Sequence, residues 1–344
     1  MGHLTARPEP RRLLVLWLLS AAALAAPPQY RVAAQLPVAG PTRWDLVYVD
    51  QSAHRLYVAH GTRTDIIDTA HETPAGSLAD TRGVHGIAIA DELGLAFTSD
   101  GADDEIGVYD LATRHRVRSI KAGANPDAIV YEPVSRRVIA FNGRSQDATI
   151  ADAASGAVVA ASLPVGGKPE LAVVGSHGLV YFNVESTAEV AVLDARAGRL
   201  VGRYSIAPCR SPTGLAMDPQ GRLYSVCANA LMVISDPASG RVIGQAGIGA
   251  GPDGVVWMDG YAISANGRDG TASVVGETAP GRFETVATFD VARGARTIAA
   301  DSSLHKLFLP SADFRPQAQP APGQEPARPE AIAGSFKVIV VTAR

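Results

Sequence analysis

Cysteines, aromatic residues and long apolar runs are all scarce in this chain of 344 residues. There are two Cys, aromatics make up 6% of the sequence, and one apolar stretch, 13–25, stands out near the start. Two cysteines exclude a small scaffold held by many disulfides. No Cys-x-x-Cys-His occurs, so covalent haem has no point of attachment. The 13–25 stretch is too short to span a bilayer comfortably. It follows Arg7, Arg11 and Arg12 and ends in Ala23-Leu24-Ala25, and so reads as a secretory signal peptide over residues 1–25, cleaved before Ala26. No Cys follows the cleavage point, which leaves a bacterial lipid anchor nothing to attach to. The mature chain is expected to be periplasmic or secreted, without a transmembrane segment. Loss of the three Arg and Glu9 takes the formal net charge from −3 to −5. A mildly acidic surface does not attract polyanions. The basic stretch 114–118 with Lys121 lacks interleaved aromatics, so nucleic acid is not an expected partner.

What the chain has instead is a repeat. Asp68, Asp110, Asp152, Asp194 and Asp236 recur 42 residues apart, each closing a short apolar run: DIID, GVYD, TIAD, AVLD and VISD. Gly156, Gly198 and Gly240 follow at the same interval, in turns where tolerance of positive φ lets the chain reverse. The unit 168–208 holds four such runs separated by breaks of turn length, which predicts a four-stranded antiparallel meander. First strands are expected to start at Trp44, His85, Asp127, Glu170, Thr213, Asp253 and Arg296, and second strands to end at His60, Ser99, Asn142, Asn183, Cys227, Asn266 and Ser311.

A period in the low forties with four strands per unit implies an all-β fold, a seven-bladed β-propeller of four-stranded antiparallel blades. The last unit lacks a fourth strand, while Tyr30–Pro37 has no unit of its own. This N-terminal segment is expected to complete the last blade and close the ring. One domain, 26–344, follows. Within it 313–335 is rich in Pro, Gln and Ala and poor in large apolar residues, and is expected to form a mobile loop in the last blade.

In such a meander the starts of first strands and the ends of second strands meet on one face of the ring. The candidate ligand-binding residues at this channel mouth are therefore Trp44, His60, His85, Asp127, Asn142, Glu170, Asn183, Asp253, Asn266 and Arg296. Convergent carboxylates can hold a cation or poise a base, whereas Asn before a turn serves the local backbone. No resident metal or cofactor is assigned. Cys209 and Cys227 fall on the mouth face of one blade, and in an exported protein they are expected to form a disulfide.

The runs RLYVAHG (55–61), GIAIADELGLAFTSDG (86–101), NPDAIVYEPVSRRVIAFNG (125–143) and GPDGVVWMDGYAISANGRDGTASVV (251–275) resemble the YVTN-type, YncE-like family of exported seven-bladed propellers. The resemblance covers essentially the whole mature chain. It implies a periplasmic or extracellular propeller related in shape to amine dehydrogenase heavy subunits, the haem domain of nitrite reductase and the streptogramin lyases. The haem motif is absent, and no lyase His/Glu set matches here. The favoured function is a monomeric binding or scaffold protein presenting the mouth face to a small ligand or protein partner. The alternative is a metal-dependent lyase or lactonase-like hydrolase, its metal held by Asp127, Glu170, Asp253 and His85 or His60; nucleic-acid binding is a further alternative.

Overall fold

The computed structural model describes residues 2, 3, 29–316 and 330–343. Nearly all of the expected signal peptide, and the centre of the Pro-rich loop at 317–329, lie outside the described residues. Among the described residues, twenty-eight strands form seven antiparallel sheets of four. Six blades are consecutive in sequence, at 47–78, 84–121, 126–164, 169–205, 212–247 and 252–290. The seventh combines Ala299–Asp301, Lys306–Ser311 and Lys337–Ala343 with Tyr30–Pro37 as its outermost strand. The closing register runs from Tyr30 opposite Ala343 to Pro37 opposite Lys337, as the orphan segment predicts. Among the described residues no helix is long and apolar enough to cross a membrane.

The five periodic Asp residues each end a third strand, and each caps the turn that follows. Their Oδ1 atoms accept backbone N–H groups two or three residues ahead, as from His71 to Asp68, Ser155 to Asp152 and Ala197 to Asp194. The residue four places after each Asp has positive φ. Gly156, Gly198 and Gly240 fill three of these positions, and Glu72 and Arg114 fill the other two. The period in the sequence is thus the period of a turn that needs a carboxylate acceptor and a left-handed residue.

The core lies between blades rather than within any one of them. Phe141 of the third blade and Phe182 of the fourth are fully buried, with ring centroids 4.7 Å apart. Each such ring contributes on the order of 2 kcal/mol by leaving water. Near the axis the blades converge so closely that a Cβ added at Gly214 would lie 2.8 Å from the Asp253 carbonyl oxygen. Innermost strands supply an apolar lining, including Leu46, Ile87, Ile129, Val173 and Ile298, around a cavity of ≈ 390 Å³.

Cys209 and Cys227 are joined, across a sequence separation of 18. The flanks of the Pro-rich segment are more regular than its composition suggests. Phe314 bridges Ala331, Arg315 N–H donates to Glu330 O, and Ile332 N–H donates to Asp313 O, so the described ends form a short ladder leaving the seventh blade.

Candidate functional site

Each inner strand of the second to sixth blades begins with a buried residue, Val84, Pro126, Pro169, Pro212 or Pro252, which pairs with the end of the second strand. The next residue sits at a register shift in every one of these strands. A bulge takes that side chain out of the ladder and aims it along the channel axis. Pro suits the position before it because a first strand residue can dispense with its N–H. His85, Asp127, Glu170, Thr213 and Asp253 are these bulged residues.

In the seventh blade Arg296 occupies the matching place after buried Ala295. In the first blade the place belongs to Asp45, not to Trp44. Trp44 is buried in the core cluster that holds Phe336, with their ring centroids 5.4 Å apart, and Phe314 stands on its other side at 6.2 Å. An indole gains more from that apolar cluster than from a wet channel mouth, and the register shifts by one to put it there. The signal that finds Asp45 in the sequence is the buried residue directly before each of the other ring positions.

The ring therefore carries Asp45, His85, Asp127, Glu170, Thr213, Asp253 and Arg296, and its charges are mostly paired. Arg296 Nε lies 2.8 Å from Asp253 Oδ2, and its Nη2 lies 3.2 Å from Asp45 Oδ1. Lys168, which the sequence did not single out, sits 2.6 Å from Glu170 Oε1 and 2.5 Å from Glu185 Oε2. His85 Nδ1 is 2.6 Å from Asp45 Oδ2 and 3.9 Å from Asp127 Oδ1. Asp127 alone among the ring carboxylates has no side-chain hydrogen bond among the described residues.

Titration follows from this geometry. Burial pushes the Asp127 carboxyl up to about 6, and the Asp45 charge adds to the effect against the opposing pull of His85. Burial raises Glu170 more than Lys168 lowers it, and raises Asp253 more than Arg296 lowers it. At His85, burial by itself favours the neutral ring. The bond to Asp45 and the charges of Asp127 and Asp45 outweigh burial, and the imidazole is raised. The mouth thus holds several acids reluctant to be charged together, set around the opening of an apolar channel.

The second-strand ends behave differently, for all of the candidates among them are fully buried. Asn142 Nδ2 donates to Asp147 Oδ1 at 2.7 Å and to Thr149 Oγ1 at 3.0 Å within its own blade. Asn266 Nδ2 does the same to Thr271 and Ser273. Asn183 sits one residue before the strand end, so it points the other way and donates to the Thr213 and Gly214 carbonyls of the next blade at 3.1 and 3.0 Å. His60 spends both ring nitrogens locally, Nδ1 on Asp65 at 2.5 Å and Nε2 on the Pro41 carbonyl, with its ring against Phe336. The metal set expected from sequence is accordingly not assembled: Glu170 is held by Lys168, Asp253 by Arg296, and His60 is sealed on Asp65. Asp45, His85 and Asp127 do come together.

No family model and no curated protein matches this chain. Solved structures with the same architecture are numerous. The crystal structure of RRP9 WD40 repeats has a TM-score of 0.75 at 8% identity, covering 92% of this chain and 100% of that one. U3-55K matches at 0.70 and 8% identity, over 90% of this chain and 98% of that one. Kuenenia stuttgartiensis hydrazine synthase matches at 0.65 and 13% identity, over 80% of this chain and 92% of that one. Identities this low establish the shared propeller fold.

Proposed function

We propose that this chain is an exported propeller of the YVTN type that binds a small polar ligand at the channel mouth, on the ring formed by Asp45, His85, Asp127, Glu170, Asp253 and Arg296. The observation that carries the reading is Asp127, a carboxylate raised to about 6 and free of hydrogen bonds among the described residues, next in sequence to Ala128, which lines an apolar cavity of ≈ 390 Å³. A group held in that condition gains from any ligand that brings it a cation or a donor. Sites of this kind, apolar within and with a few convergent polar groups at the rim, are the usual form of a small-molecule pocket. The Cys209–Cys227 bridge supports an oxidising compartment. Similarity to WD40 repeats supports the companion use of the rigid ring as a scaffold for a protein partner.

The test is a thermal-shift screen of small cations, amines and organic acids on the mature chain, 26–344, repeated on Asp127→Asn. Compounds that raise the melting temperature of the wild type and not of the variant support the reading. Compounds that stabilise both equally place the ligand elsewhere. Export is checked separately, by expressing the full chain in a bacterium and measuring the mass of the periplasmic product, where an N-terminus at Ala26 is expected.

A further inference from the structure

Asp45, His85 and Asp127 come from three adjacent blades, and each offers one ligand atom such that all three atoms lie within 4.8 Å of one another. One imidazole nitrogen with two carboxylate oxygens is a donor set suited to borderline divalent cations such as Zn²⁺ or Mn²⁺. From these residues we infer that the channel mouth holds a mononuclear divalent-metal site, with the remaining coordination positions open to the channel. The inference rests on the mouth being the working face and names what the ligand would meet there.

The supports around the three residues make them more than a surface charge cluster. The main-chain carbonyl of each is pinned from a different blade. Thr297 Oγ1 donates to Asp45 O at 2.9 Å, Leu46 N–H donates to His85 O at 3.0 Å, and Ser99 Oγ donates to Asp127 O. The Asp45 carboxylate is oriented as well, because Arg296 takes Oδ1 and leaves Oδ2 on the side of His85. Fixing the first ligands through such outer contacts is what allows a cation to be held without a large ordering cost. Three protein ligands rather than four correspond to a site that keeps a position for water or a ligand. His85 and the two carboxylates are 16%, 22% and 25% exposed, so a cation reaches them from the mouth without any opening of the fold.

The experiment uses the mature chain, stripped with a chelator and dialysed against Zn²⁺ and, separately, Mn²⁺, with bound metal then quantified. About one equivalent per chain is expected, and Asp127→Asn should weaken uptake at least tenfold without lowering the melting temperature of the metal-free protein. Glu284→Gln, on the outer strand of the sixth blade and paired there with Arg282, should bind as the wild type does. If Asp127→Asn does not fold, His85→Gln serves the same comparison. No stoichiometric uptake, or equal uptake by wild type and variant, would overturn the inference and leave the trio as an ion pair with a neighbour. A ligand screen that still depends on Asp127 in chelator would keep the mouth-face reading while the metal falls. Metal uptake lost in Asp127→Asn, with no ligand found, would keep the metal and remove the broader reading.

Discussion

Two polar rings lie on the same face of this propeller, one at the starts of the inner strands and one at the ends of the second strands. They differ in what they spend their polar atoms on. Asn142, Asn183, Asn266 and His60 are fully buried and hydrogen-bonded to neighbouring strands or loops. Asp127 lies one ladder step away, partly exposed, with no hydrogen bond to its carboxylate among the described residues. Residue type does not separate the two sets, for both are short polar side chains at strand ends. Bulge geometry does, because it turns one set into the channel and leaves the other between sheets. Polar groups between sheets must be satisfied by protein, whereas those in the channel can be satisfied by a ligand.

Asp100 is where the buried ring departs from its own rule. It occupies the place of Asn142 and Asn266, but Gly107 stands where Thr149 and Ser273 offer hydroxyls to those amides. Neither carboxylate oxygen has a hydrogen bond among the described residues, although Arg116 Nη2 is 3.1 Å away. Burial pushes this carboxyl up to about 7 against the pull of the neighbouring Thr98 hydroxyl and the Arg116 charge.

The contrast between sealed and open rings can be tested by substitution. The largest effect is expected at Cys227, a sealed position whose bridge closes a loop of separation 18. Cys209→Ala with Cys227→Ala should lose roughly 3 kcal/mol, measured by urea unfolding without reductant. Asn142→Ala strips Asp147 and Thr149 of their shared donor and should cost about 2 kcal/mol by the same measurement. Little loss there would erase the distinction between the rings.

The third effect depends on pH. The folded state keeps the Asp100 proton up to about pH 7, whereas an unfolded carboxylate loses it near ~4, so wild-type stability should fall as pH rises through that window. Asp100→Asn lacks this dependence, and its stability relative to wild type should improve by about 2 kcal/mol between pH 5 and pH 8. A constant difference between the two proteins would show that Asp100 is ionised throughout. A smaller effect should come from Arg114→Gly. It replaces a side chain at φ 62 by the residue used at three equivalent turns, and should gain about 0.5–1 kcal/mol. Asp127→Asn should follow the same sign as Asp100→Asn with a smaller amplitude, since burial raises that carboxyl only to about 6: no different from wild type near ~pH 4 and modestly more stable at neutral pH. That result, together with an effect on binding, would mark the open ring as functional surface.

Much of this was legible in the chain itself. The 42-residue spacing of the Asp residues set the period and marked five of the seven blades, because each carboxylate is needed by the turn that ends its third strand, and the aligned first-strand starts supplied the other two. The unpaired segment Tyr30–Pro37 announced ring closure, because a blade of three strands leaves an open edge. The mouth ring was readable from its bulged positions except in the first blade. There the aromatic residue Trp44 looked like a strand start, and its true partners, Phe314 and Phe336, lie some 270 residues and more away in sequence. Asn183 shows the same limit, since the one-residue offset that turns it toward the next blade is visible only once Val184 is seen to pair with Pro169.

Local spacing thus determined the repeat, the strand order within the six consecutive blades and the bond between the two cysteines, for these follow from turns and pairings close in sequence. Tertiary structure decided which polar residues are consumed and which remain free. It gave Asp253 to Arg296, and brought Asp45, His85 and Asp127 together from three blades. Pairing of charges across the channel depends on distances between strands some 40 residues or more apart, and these are set by the closure of the whole ring.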